Sequence, residues 1–245
     1  MRNGRGDGYV LSQKAGLAFF QSLDLAAFDF VTHAFCTRLG GLSAGPYGGL
    51  NLGDRVGDDP ARVEGNWQTL AQAFTIPRET FFPLRQIHGN DILVLDDREI
   101  RDGRVTPPEG DAVITDRPGL ALCIRTADCV PILLLDPKRR VAAAVHAGWK
   151  GTAGKISIRT VEVMVDRFAS VPADLVAAVG PSIGPCCYEV DEPVVAAMGG
   201  PDGAFFKPAG REDRWMLDLP GLNEAQLVTA GLRPEGISRM DLCTA

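Results

Sequence analysis

The stretch CVPILLLDPKRRVAAAVHAGWKG, residues 129–151, decides the fold. Its two apolar runs, VPILLL and VAAAVHA, are too short for core helices and are bounded by Pro, Asp and Gly. Such runs read as strands with both faces covered. Working outward, DILVL (91–95), GDAVIT (110–115), LALCI (120–124) and LVAAVG (175–180) have the same character. Helical patterns alternate with them. In DPARVEGNWQTLAQAFTI (59–76), Asp59 is an N-cap, Pro60 holds the first helical position, and Val63, Trp67, Leu70 and Phe74 recur at spacings of three and four. AGKISIRTVEVMVDRFASVP (153–172) places Ile158, Val161, Val165 and Phe168 on one face, and NEAQLVTAG (223–231) is a third helix stopped by Gly231. The pattern implies an α+β architecture with mixed sheets. No linker divides it, so residues 1–245 are expected to form a single domain.

A chain of 245 residues, 45% hydrophobic, can bury a full core without disulfides. Its net charge is −6, and lysine and arginine form no stripe, which argues against a nucleic-acid footprint. The beginning, MRNGRGDGYV, has no apolar leader pattern, and no apolar run is long enough to cross a bilayer. The expectation is a soluble cytoplasmic protein, monomeric or homodimeric, with reduced thiols at Cys36, Cys123, Cys129, Cys186, Cys187 and Cys243. Cys36, Cys123 and Cys243 are expected in the core, and vicinal Cys186 and Cys187 in a wall rather than on a metal.

The candidate chemistry lies at strand ends. There are three histidines, His33, His88 and His146. His88 precedes DILVL, His146 closes VAAAVHA, and Cys129 precedes VPILLL. Two imidazoles and one thiolate suit zinc with a fourth position open to water. The gaps of 41 and 17 residues between them match no short metal motif. The same atoms also permit a Cys129 nucleophile activated by His146, with Asp111 or Asp128 orienting the imidazole. Hydrogen-bonded core histidines and a small apolar cysteine remain the third reading. Arg38, Arg125 and Lys150 are cations near these stretches that would suit a phosphate or carboxylate.

Taken together, HAFCTRLGGLSAGPYGGLNLG (33–53), QIHG (86–89), TADCVP (126–131), HAGWKG (146–151) and VGPSIGPCCYEV (179–190) resemble the laccase-domain family, also called polyphenol oxidase, purine nucleoside phosphorylase or peptidoglycan editing factor. The resemblance implies a layered α/β sandwich with mixed sheets, similar to a cysteine-hydrolase fold. It also implies one zinc per chain on His88, Cys129 and His146, which would be the catalytic centre, with Arg38, Asn51, Asp111 and Lys150 around the substrate. The implied reaction is phosphorolysis of adenosine, inosine and 5′-methylthioadenosine, with adenosine deamination as a side activity. The implied partners are therefore a small-molecule nucleoside and phosphate. Two alternatives stay open: a hydrolase removing L-serine from a peptidoglycan precursor, and a non-enzymatic module whose zinc is closed by Cys187 as fourth ligand. Multicopper oxidase chemistry needs many more imidazoles than three, so copper is expected only as an adventitious occupant. Family members usually continue beyond an LCT motif into an aromatic, arginine-containing tail, which is expected to be missing after DLCTA (241–245).

Overall fold

The computed structural model describes residues 8–96, 107–201 and 204–245. The first seven residues of the stretch read for a leader lie outside this set. The decisive stretch forms a hairpin. Strands β8 (Val130–Asp136) and β9 (Val141–Ala147) pair antiparallel from Val130 opposite Ala147 to Asp136 opposite Val141. The turn closes because buried Asp136 accepts backbone N–H bonds from Lys138 and Arg139, both at 3.0 Å, an Asx arrangement that short acidic side chains favour.

The hairpin is the centre of a six-stranded mixed sheet ordered β14-β10-β8-β9-β6-β5. Strand β10 (Val176–Val179) runs antiparallel to β8 and carries β14 (Ile237–Arg239) parallel at one edge. Strand β6 (Ala112–Thr115) runs antiparallel to β9 and carries β5 (Ile92–Val94) parallel at the other. Alternate residues serve opposite faces. Val130, Ile132 and Leu134 join the core under the helices, while Leu133 and Leu135 face the smaller sheets. Both faces are therefore apolar, which is why these strands lack polar alternation. Each fully buried Ile, Leu or Val contributes about 1.5–3 kcal/mol.

Helices α4 (Ile156–Phe168) and α6 (Leu219–Thr229) cover the first face. The buried stripe of α4 is Ile156, Ser157, Thr160, Val161 and Met164, so of the expected apolar set only Val161 is fully buried. Polar residues are tolerated there because they are satisfied: Ser157 Oγ donates to Asn223 Oδ1 at 2.7 Å and Thr160 Oγ1 to the Ile156 carbonyl at 2.8 Å. Helix α6 starts four residues before its expected stretch, with Asp218 capping Gly221 N–H at 2.9 Å, and ends before Gly231 at φ 100°.

The other face is covered by smaller sheets, and the N-terminal hairpin among them left little signal in the sequence. Strands β1 (Tyr9–Lys14) and β2 (Leu17–Ser22) form a hairpin through Ala15 and Gly16, both at positive φ, with β3 (Phe35–Cys36) added at its edge. LALCI supplies β7 (Ala121–Cys123), which is half-buried and pairs in parallel with β4 (Phe81–Pro83) outside the central sheet. Helix α2 (Pro60–Phe74) is capped by Asp59, as expected, and buries Val63, Trp67 and Leu70, whereas Phe74 is half-buried. Among the described residues no helix is long and apolar enough to cross a membrane.

Candidate metal centre

The sheet register explains why residues far apart in sequence meet. Val130 lies opposite Ala147, so Cys129, just before β8, faces the end of β9 that carries His146. Ala112 lies opposite Val145, so Asp111 abuts His146, whose backbone N–H donates to the Asp111 carbonyl at 2.7 Å. Ile92 pairs in parallel with Ala112, which brings the loop preceding β5, with His88, to the same sheet end. One ligand atom from each of His88, Cys129 and His146 lies within 4.8 Å of the others. The two imidazole rings meet edge to face, with centroids 4.8 Å apart.

Asp111 organises this end. Its buried carboxylate accepts the backbone N–H groups of Gly89 at 2.7 Å, His88 at 3.0 Å and Ile87 at 3.4 Å. It also accepts from His146 Nδ1 at 2.8 Å. A carboxylate at this position only accepts, so Nδ1 carries the proton and Nε2 is the nitrogen left for a metal. Of the two carboxylates weighed as the orienting group, Asp111 therefore holds the imidazole, while Asp128 accepts from Thr244 Oγ1 at 2.8 Å. With both oxygens engaged and no exposed surface, Asp111 is placed to tie the His88 loop to the His146 ring.

The electrostatics follow. Burial opposes charge on His146, but the hydrogen bonds with Asp111 and Cys129, with the negative charge there, outweigh it and push the imidazole up to about 9. Burial also opposes the Asp111 charge, yet its bonds to His146 and to the 88–89 backbone hold the carboxyl below its usual range.

The motif residues between the ligands have steric duties. Gly148 has no side chain because a Cβ there would lie 3.1 Å from Cys129 Sγ and 3.6 Å from His88 Cδ2. At Gly151 a Cβ would lie 2.7 Å from the Gly89 carbonyl oxygen, so the two glycine-bearing motifs pack directly on one another. Gln86 joins the His88 loop to the Cys129 loop through two 2.7 Å bonds with the Arg125 backbone. His88 itself sits at φ 56°, the left-handed region in which a non-glycine residue is uncommon.

The other expected residues have partners of their own. Arg38 is exposed, and its Nε and Nη2 donate to the Gly48 carbonyl at 3.2 and 2.8 Å. Asn51 uses its amide inside the loop, donating to Asp58 Oδ2 at 2.8 Å and accepting from Gly53 N at 3.0 Å. Both line a largely apolar cavity of about 910 Å³ that also includes Cys36 and Cys123, but none of the triad. Cys36 lines this cavity with part of its surface exposed, while burial around the sulfur pushes its thiol, like that of Cys123, up to about 12. Lys150 is exposed one residue after Trp149, with its ammonium 5.5 Å from that ring. Arg125 pairs with Asp54 at 2.6 Å. The third histidine, His33, accepts the Ser22 N–H at 2.9 Å, away from the triad. Cys187 does not complete the triad as a fourth ligand, since it groups with Cys186 and Cys243. Tyr188, which drew no attention in the sequence, is close enough for Cys129 to act on it: burial and that neighbouring charge push its phenol up to about 12.

Comparison with known proteins finds relatives over most of the chain. A family model described as multi-copper polyphenol oxidoreductase laccase matches residues 32–245. A purine nucleoside phosphorylase of Deinococcus radiodurans is 44% identical over 227 residues, spanning 89% of this chain and 80% of that protein. The purine nucleoside phosphorylase YlmD of Geobacillus stearothermophilus is 36% identical over 216 residues, spanning 85% and 79%. The crystal structure of YlmD from that organism superposes with a TM-score of 0.86 at 33% identity, covering 96% of this chain and 89% of that one. The Bacillus licheniformis protein YfiH superposes at 0.85 with 31% identity, covering 97% and 90%.

Proposed function

The chain belongs to the multi-copper polyphenol oxidoreductase laccase family, and from that premise we propose that it is a zinc-dependent purine nucleoside phosphorylase. Its substrates would be adenosine, inosine and 5′-methylthioadenosine, with adenosine deamination as a side activity. The names of its relatives support the reaction class. The observation that carries the reading is the convergence of His88, Cys129 and His146 around a His146 whose tautomer Asp111 fixes.

Two nitrogens and one sulfur fit zinc, and with no fourth donor in the group among the described residues the set has the open coordination of catalytic rather than structural sites. When bound there, zinc would supply Lewis acidity and lower the pKa of an adjacent water. The protein's own groups do the rest. Asp111 holds the His88 loop and the His146 ring in one geometry, so ligand placement costs little reorganisation. Arg38 and Lys150, both exposed and cationic, would hold phosphate, with Arg38 presented by a loop that Asn51 and Asn66 fasten from within. The laccase wording of the family description does not extend to the reaction, because three histidines in the whole sequence cannot furnish a multicopper cluster.

The test is phosphate-dependent release of hypoxanthine from inosine by the purified protein. Cys129→Ala should abolish it and lose the metal together. Turnover by that variant at the parent rate would overturn the proposal.

A further inference from the structure

A second cluster of metal-binding atoms lies outside the triad. Cys186, Cys187 and Cys243 place their sulfurs within 4.8 Å of one another, and Cys186 and Cys187 are exposed. The 186–187 and 182–187 neighbourhood is far from residue 243 in sequence, so folding assembles the group. Ser182 and Cys243 form a parallel bridge, Ser182 N–H donates to the Leu242 carbonyl at 3.3 Å, and Thr244 N–H to the Ser182 carbonyl at 3.1 Å. The turn at Gly184 then folds Cys187 back, with the Cys187 and Tyr188 N–H groups both donating to the Gly184 carbonyl at 3.0 Å. Cys186 and Cys187 sulfurs are 3.5 Å apart, and Gly184 N–H donates to Cys243 Sγ at 3.2 Å. A metal about 2.3 Å from each of three sulfurs sets them roughly 4 Å apart, close to the spacing already present.

We propose that Cys186, Cys187 and Cys243 form a second metal site, an all-thiolate one that takes a soft, thiophilic cation of the Cu(I) class. Softness follows from the donors, since no imidazole or carboxylate belongs to the group. Three sulfurs also satisfy Cu(I), which accepts trigonal coordination, whereas structural zinc sites close with four protein ligands. The backbone N–H on Cys243 Sγ is the kind of outer partner that steadies a metal-bound thiolate. Vicinal Cys186 and Cys187 therefore act as a chelating pair completed by Cys243, and not as inert wall residues. The site is independent of the triad's reaction but adjoins it: Ile183 N–H donates to the Asp128 carbonyl at 2.9 Å, next to Cys129.

The test is an anaerobic titration of the reduced protein with Cu(I) against a chromophoric Cu(I) chelator. Cys129→Ala, which disables the triad, should still bind one equivalent. The C186S/C187S/C243S variant should bind one equivalent fewer than the parent, and Cys243→Ser alone should weaken the site more than about 100-fold, beyond the usual effect of losing an outer-sphere partner. If the triple variant unfolds, the C186S/C187S variant is scored by the same criterion. Parent stoichiometry in the cysteine variants, or no binding by Cys129→Ala, overturns the site. Displacement of its Cu(I) by an equal concentration of Zn(II) overturns the assigned ion class.

Discussion

Replacing Asp111 tests the centre at the group that assembles it. The carboxylate is wholly buried and joins His146 at 2.8 Å to the backbone of the His88 loop at 2.7 and 3.0 Å. Asp111→Ala leaves those donors facing a small cavity and removes the partner of a buried cation. Breaking one side of such a pair costs about 3–5 kcal/mol, out of a net stability of about 5–15 kcal/mol. For a domain of this size that lowers the Tm by roughly 6–20 °C. Urea unfolding of the chelator-treated protein measures it, with the slope unchanged and the midpoint reduced. Asp111→Asn keeps the volume and one acceptor oxygen but turns an N–H₂ group toward donors, so it should recover only part of the loss. The pH dependence provides an internal check. His146 is raised in the folded protein from 6.5 to about 9, so its stabilisation is complete below pH 6.5 and is lost as the pH rises through 9. The span is about 3 kcal/mol in the metal-free parent, and it should shrink markedly in Asp111→Ala, where Cys129 alone is left to oppose the burial of the charged ring. A variant within about 1 kcal/mol of the parent, or one that keeps the parent's decline between pH 6.5 and 9, would refute the role given to Asp111.

Gly148→Ala places a methyl 3.1 Å from Cys129 Sγ and 3.6 Å from His88 Cδ2. Metal affinity should fall about 10–100-fold, the range seen when ligand geometry is disturbed from outside the coordination sphere, with far less effect on the unfolding midpoint; competition with a metallochromic chelator would reveal unchanged affinity if the packing argument is wrong. Arg38→Ala should raise the KM for phosphate several-fold while leaving metal content at the parent level, because Arg38 is not one of the clustered ligands; steady-state kinetics at varied phosphate would contradict this if KM stays constant.

The central sheet was legible because Leu133 and Leu135 face one layer while Ile132 and Leu134 face the other. Burial on both sides produces the continuous apolar runs that mark such strands. Helix α2 was legible through a local signal, Asp59 before Pro60. The buried face of α4 was not, since Ser157 and Thr160 look polar in sequence and become acceptable inside only when Asn223 and the Ile156 carbonyl meet them. The β1–β2 hairpin was hidden for a related reason: its turn, Ala15–Gly16, carries a weaker signal than Asn-Gly or Asp-Gly.

The metal centre was legible in its residue types and not in its spacing. A finger or a helical metal motif encodes its site in local geometry, so the intervals between ligands repeat and can be read. Here the intervals record the length of the connections, and the site is encoded in register: Val130 opposite Ala147, Ala112 opposite Val145 and Ile92 beside Ala112 bring three strand ends together. Asp111 then converts nearness into geometry by binding the ring of one ligand and the backbone of another. A slip of one residue in the β6–β9 pairing would turn His146 to the opposite face of the sheet and separate it from that carboxylate. Stability of the central sheet and placement of the ligands are therefore one property, which is why the same buried carboxylate should control both the unfolding midpoint and metal affinity.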